Sequence, residues 1–238
     1  MNSPYYHTLF AFIALNLASC AGAPDKSEPT DGLGIIKSPP VDSGQIDLKV
    51  QSPILIDDSE WVLFPLNNST KETEEKFYAS SDYRGFLGYW NIAFYNVKTK
   101  ASHVLSDQKM MIKSITPPNQ PELRDTSRNT HIFYSITVTD HNQNGRLDHD
   151  DPTYLFVSDV DGEHFRQVSP FDMNVTYWHE MTSAHKVLIQ GFQDTDADGD
   201  YDEEDAQVSF IYDLDQSHLE PIFDPEFTQT ILQLKTKQ

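Results

Sequence analysis

Two acidic segments of twelve residues, Asp140 to Asp151 (DHNQNGRLDHDD) and Asp194 to Asp205 (DTDADGDYDEED), constrain this chain more than any other feature. Each places oxygen-bearing side chains at its first, third, fifth, ninth and twelfth positions. In the first segment they are Asp140, Asn142, Asn144, Asp148 and Asp151; in the second, Asp194, Asp196, Asp198, Asp202 and Asp205. Gly145 and Gly199 stand sixth, where a sharp turn is reached most readily without a Cβ. Carboxylates crowded this way repel one another, and a cation relieves that repulsion.

A hard divalent cation takes six to eight oxygens in a small shell, which these spacings can supply. The pattern resembles the loop of EF-hand calcium proteins, in which the main-chain carbonyl of the seventh residue also binds. That resemblance implies two calcium sites, with the carbonyls of Arg146 and Asp200 completing the ligand sets. Leu147 and Tyr201 fall at the eighth position, normally an apolar anchor. His141 and His149 fall at the second and tenth positions, which point away from the ion. The sequence departs from the pattern at the twelfth position, where Asp151 and Asp205 replace a longer glutamate, and this implies modest affinity. All five side-chain ligands of the second loop are carboxylates, against three in the first. The second loop is therefore expected to fill first, and to be the more mobile when empty.

A true EF-hand needs helices on both sides of its loop. Here the flanks have strand character: His131 to Thr139 is rich in β-branched and aromatic residues, with Tyr134, Ile136 and Val138 alternating with Ser135 and Thr137. Tyr154 to Ser158 follows the first loop, and Lys186 to Phe192 and Val208 to Tyr212 frame the second. Each acidic loop thus reads as the connection of a β-hairpin. Strand, loop, strand, Asp-x-Asp turn and short strand recur in the same order, with Asp159-Val160-Asp161 matching Asp213-Leu214-Asp215, an internal repeat. A loop-free copy lies at Ile92 to Lys100 followed by Ser102 to Leu105, and Trp61 to Leu66 is a strand that could pair with it.

The stretch Tyr154 to Pro170 (YLFVSDVDGEHFRQVSP) resembles the inner strand, Asp-Gly turn and outer strand of TolB-like β-propeller repeats. Trp178 and the following Lys186 to Phe192 strand resemble the part that opens the next blade. The Asp-x-Asp-x-Asp-Gly loops are similar to those of integrin-α-type propellers. Both resemblances imply an all-β fold of propeller-like repeats, with three recognisable blades, room for a fourth, and calcium loops in the hairpins. Thr230 to Lys235 and Gln45 to Ile56 are candidate further strands. An open twisted sheet, a sandwich of the same hairpins and a small closed propeller all fit the pattern. Trp61, Trp90 and Trp178 are expected to pack in the core.

Thr8 to Leu17 is an apolar run too short to span a bilayer, and it ends in Leu17-Ala18-Ser19-Cys20, which resembles the lipobox of bacterial lipoproteins. Cys20 is the only cysteine. The resemblance implies cleavage before Cys20 and attachment of a lipid to its thiol, although no Lys or Arg precedes the apolar run. An ordinary cleaved signal peptide, or a mis-set start, is the competing reading. The expected organisation is residues 1–19 as signal peptide, 20–45 as a Pro-, Gly- and Ser-rich tether, and 46–238 as a calcium-binding head. The location this implies is the bacterial cell envelope, with Ala21 compatible with the outer membrane. A formal net charge of −20 disfavours nucleic acid as a partner, because phosphate recognition needs Lys and Arg.

The sequence contains no G-x-S-x-G elbow and no H-E-x-x-H pair, and after lipidation it has no free thiol. His179-Glu180 with His185 matches a zinc site only loosely. The favoured expectation is a non-enzymatic protein held to the membrane through Cys20, whose β-rich head binds another envelope or surface component, with a protein of the envelope as the expected partner. The alternative is a hydrolase or lyase that uses calcium to hold an extracellular polymer. Ligand saturation separates the two, since a structural ion is enclosed by its own loop.

Overall fold

The computed structural model describes residues 48–67, 88–118, 130–196, 200–202 and 204–237. By internal contacts the chain separates into Met1–Gly44 and Gln45–Gln238. The described elements all belong to the second unit; the signal segment, Cys20 and the tether lie outside the described residues.

Among the described residues the fold is all-β apart from one 3₁₀ turn, Thr182–Ala184, and one α-helix at the carboxyl end. Twelve described strands form three antiparallel meanders of four. The first contains β1 (Ile54–Leu55), β2 (Trp61–Asn67), β3 (Tyr89–Asn96) and β4 (Ser102–Val104), each paired with the next. The second contains β5 (Met111–Thr116), β6 (His131–Thr137), β7 (Tyr154–Asp159) and β8 (Arg166–Gln167). The third contains β9 (Asn174–Met181), β10 (Lys186–Gln193), β11 (Ala206–Asp213) and β12 (His218–Pro221). A pairing of Tyr89 with Ile112 joins the first two meanders into one sheet. The repeat read at Ile92 to Leu105 corresponds to the third and fourth strands of the first meander, and Trp61 to Leu66 pairs with it as β2.

The turn between third and fourth strands recurs chemically. Asn96 Oδ1 accepts the N–H groups of Lys98 and Thr99 at 3.0 and 2.9 Å, and Asp213 Oδ1 accepts those of Asp215 and Gln216 at 3.0 and 2.9 Å. A short polar side chain that caps the N–H groups following it is a local device for closing a tight turn. In the middle meander the same turn carries Gly162 at φ +83°, and a Cβ there would lie 2.8 Å from the Phe94 ring.

The middle meander is buried on both faces, and period-two alternation decides which side chain goes where. Ile132, Tyr134 and Ile136 of β6, with Tyr154 and Phe156 of β7, pack with Leu63, Ile92 and Phe94 of the first meander. Phe133, Leu155 and Val157 point the other way and pack with Met173, Val187, Ile189 and Tyr212 toward the third. The three meanders therefore stack face to face, with two apolar layers between them. Tyr134 is fully buried, its hydroxyl 2.7 Å from Ser158 Oγ, and burial raises its pKa well above the usual phenol value.

Three expectations are corrected. Thr230 to Lys235 belongs to a helix, α1 (Pro225–Lys235), and not to a strand. Asp224 caps it by accepting the Phe227 N–H at 2.7 Å, with Pro225 at the first helical position, a helix-start signal that outweighs the β-branched character of Thr230 and Ile231. Within Gln45 to Ile56, the described residues supply only the two-residue β1 and an isolated bridge from Val50 to Leu66. Trp61 and Trp178 pack against the two cores, but Trp90 is 38% exposed: the β2–β3 register shifts there, pairing Leu66 with Asn91 and Asn67 with Tyr89, which leaves Trp90 as the extra residue of a bulge. Among the described residues no helix is long and apolar enough to cross a membrane.

Candidate metal centre

Both acidic loops occupy the same place in the repeat, the connection from second to third strand: β6 to β7 for the first and β10 to β11 for the second. Each is closed by its twelfth residue in the same way. Asp151 Oδ1 accepts the His141 N–H at 2.8 Å and its Oδ2 accepts the Asp148 N–H at 3.0 Å. Asp205 Oδ1 accepts the Thr195 N–H at 2.7 Å and its Oδ2 accepts the Asp202 N–H at 3.2 Å. In both loops the donors are the second and ninth residues. Both carboxylates are buried, Asp151 at 2% exposure. A short aspartate suffices at this position because the chain itself folds back to meet it.

Within the first loop the side chains at the first, third and fifth positions serve as local acceptors. Asp140 receives the Asn144 N–H at 3.0 Å and the Gly145 N–H at 2.8 Å; Asn142 Oδ1 receives the Asn144 N–H at 3.0 Å. Asn144 Oδ1 accepts from the Arg146 N–H at 2.9 Å, and its amide donates to Asp148 Oδ2 at 2.9 Å. Gly145 has φ +85°, the left-handed conformation expected at the sixth position. Asp148 repeats the device by accepting the Asp150 N–H at 3.0 Å, as Asp202 accepts the Glu204 N–H at 2.8 Å.

In the second loop, Asp194, Asp196 and Asp205 each offer an oxygen within 4.8 Å of the others. Ligands on opposite sides of a calcium ion held at about 2.3–2.6 Å lie roughly 5 Å apart, so this triad fits one hard cation. Among the described residues it is the one acidic cluster so closed. Asp198 and Gly199 lie outside the described residues, while Asp200 and Asp202 line a cleft beside the loop. The Thr195 N–H holds the Asp205 carboxyl below the usual carboxylate range, with the Asp202 N–H adding to it and desolvation opposing.

The loops face one another. A cleft of about 420 Å³ separates them, with His149, Asp150 and Asp151 on one side and Asp200, Tyr201 and Asp202 on the other. At its edge the His141 and Tyr201 rings meet, their centroids 5.3 Å apart and their planes inclined by 56°. Leu147, the eighth residue of the first loop, is half-buried.

Several supporting residues carry no signal in the loop pattern. Lys113 of β5 donates to the Asp151 carbonyl at 3.1 Å and to Thr153 Oγ1 at 2.8 Å, fastening the end of the first loop to a neighbouring strand. Burial lowers the Lys113 pKa, and the charges of Asp151, Asp148 and Asp150 oppose that shift. Asn174 Oδ1 accepts the Thr153 N–H at 3.0 Å. Thr195 Oγ1 accepts the Ala206 N–H at 3.2 Å, drawing the two ends of the second loop together. Of the histidines considered for zinc, His185 pairs with Asp215 at 3.3 Å and closes no metal cluster with His179 and Glu180.

Comparison with models of known protein families gives no match to this chain, and no curated protein matches it.

Proposed function

We propose that this chain is a non-enzymatic, calcium-binding envelope lipoprotein, anchored through Cys20, whose β-rich head binds another protein of the envelope or surface. Two calcium ions, one per acidic loop, stiffen the end of the head where the loops lie. The observation that carries this reading is the matched closure of the loops by Asp151 and Asp205, together with the Asp194, Asp196 and Asp205 triad. Each loop supplies its own oxygens, as a structural ion requires. When bound, calcium supplies charge neutralisation and cross-links the two hairpin strands.

The same reading takes the three stacked four-stranded meanders as TolB-like propeller blades, supported by their common strand order and by the loops falling at the same connection. The alternative, a calcium-dependent hydrolase or lyase of an extracellular polymer, has one observation in its favour: the cleft beside the loops carries His149 and Tyr201 among its carboxylates.

Calorimetric titration with calcium, on the unaltered protein and on the Asp140→Ala and Asp194→Ala variants, tests the metal claim. Two sites, each abolished by its own substitution, are expected. Membrane partition of the protein and of its Cys20→Ser variant tests the anchor, with the variant released from the membrane. Calcium-dependent cleavage of an anionic polysaccharide, lost on His149→Ala, is the outcome that favours the alternative.

A further inference from the structure

Only one face of the first meander belongs to a core. Ile54, Trp61, Leu63, Ile92 and Phe94 pack toward the middle meander. The residues between them point the other way. Leu55 pairs with Val62 and Val62 with Tyr95, while Phe64 pairs with Ala93 and Ala93 with Val104. These six side chains from four strands share one outer face, and none belongs to either core. Leu55 is 66% and Val104 48% exposed. A second apolar surface lies on α1. Phe227, Ile231 and Leu234 follow Phe223 at intervals of four, four and three residues, which sets them along one stripe, and the Phe223 and Phe227 rings lie 5.4 Å apart. No residue of α1 is buried. A helix of 11 residues is marginal in water without a surface to pack on. We propose that α1 of one copy packs this stripe on the outer face of the first meander of a second copy, reciprocally, in a closed two-fold dimer.

Reach selects a second copy. Stacked sheets lie about 10 Å apart, so the outer face of the first meander is about 20 Å beyond the third. Only residues 222–224 join β12 to α1, a span of at most about 11 Å, and the Ile222 N–H is held by the Ser209 carbonyl at 3.0 Å. The helix therefore cannot cover that face in its own chain. Charge selects the same pair of surfaces. Residues 111–221 carry twenty-two Asp and Glu against six Lys and Arg, and repel a second copy. Residues 48–110 carry eight against seven, and residues 222–238 two against two. The two apolar surfaces are thus the two near-neutral parts of the head, where copies of an acidic chain can meet. A lipid surface fits α1 less well, because the polar side of the helix offers Thr228, Gln229, Thr230 and Gln233 and no cation before Lys235. The dimer needs no calcium and stands apart from the metal reading.

The test is sedimentation across a range of concentrations, on the full chain with Cys20→Ser so that no lipid contributes. A reversible dimer is expected. Ile231→Asp on the helix and Val104→Asp on the sheet each place a charge in the contact and are expected to weaken the dimer at least about tenfold, the weight of one anchor residue. Mixing the two variants is expected to restore association, because the intact helix of the Val104→Asp chain meets the intact sheet face of the Ile231→Asp chain. Recovery on mixing also shows that both variants are folded. A chain that is monomeric at every concentration overturns the proposal. So does a dimer that survives Ile231→Asp and is lost with Val104→Asp, since the sheet faces then pair with each other, and so does a mixture that stays monomeric. Binding to phosphatidylcholine and phosphatidylglycerol vesicles by a chain monomeric in solution, lost with Ile231→Asp, overturns it in favour of a membrane.

Discussion

Asp151 and Asp205 do the same work in their respective loops: each turns both carboxylate oxygens inward to take the N–H groups of the second and ninth loop residues. The ring of hydrogen bonds is therefore a property of the repeat. It joins the ends of each hairpin through the chain's own groups. Lys113 strengthens this on one side only, by tying the Asp151 carbonyl to β5.

Asp151→Ala is expected to destabilise the calcium-free protein by about 1–3 kcal/mol, the cost of leaving buried donors without an acceptor. Asp140→Ala, in a more exposed part of the same loop, costs less without calcium and more with it. Chemical denaturation in a chelator and in excess calcium checks both halves of this statement.

Gly162→Ala is expected to cost about 2–4 kcal/mol, because it strains a left-handed backbone and drives a methyl into a packed ring. The added Cβ would meet Phe94 at 2.8 Å, at the junction of the first and middle meanders. Combining it with Phe94→Leu recovers part of the loss, and the non-additivity in a double-mutant cycle is the measurement that checks the contact.

Acid should weaken the fold through Asp213. The Gln216 N–H, with desolvation opposing and Lys186 assisting, holds this carboxyl below its ordinary range. Its stabilisation is present above the unfolded-state pKa and is lost as pH falls through the lower folded value. His164 runs the other way: its hydrogen bond to Asp159, 2.8 Å long, raises its pKa, so its contribution is complete below the unfolded value and lost as pH rises through the folded one. Asp213→Asn flattens the acid side of the stability profile and His164→Asn flattens the near-neutral side, as followed by thermal unfolding across pH.

Asp224→Ala is expected to fray α1 at a cost of about 1 kcal/mol within the helix. No residue of α1 is buried, so the melting temperature of the stacked sheets should be unchanged. Circular dichroism for helix content, beside aromatic fluorescence for the core, separates the two effects.

The loops and their flanking strands were legible in the sequence because both rest on short-range spacing. Oxygens on alternate loop positions and apolar residues on alternate strand positions survive any tertiary arrangement. At the carboxyl end, Thr230 to Lys235 has strand-like composition, and the helix is announced only by Asp224-Pro225-Glu226, a capping signal that lies before the apolar run. β5 (MIKSIT) has no alternating apolar pattern, so it carries little signal of its own. Lys113 meets Asp151 across 38 residues, and His141 meets Tyr201 between meanders; neither pairing leaves a trace in local spacing. Burial of both faces of β7 likewise depends on stacking, which the strand's continuous apolar run allowed but did not specify.

The most direct measurement of the central claim is calcium binding to the purified protein by calorimetry, followed in parallel by thermal unfolding with and without the ion. Two sites, one lost with Asp140→Ala and the other with Asp194→Ala, and a melting temperature that rises with calcium are the predicted result. A chain that takes up no calcium at millimolar concentration and melts at the same temperature in chelator contradicts the account.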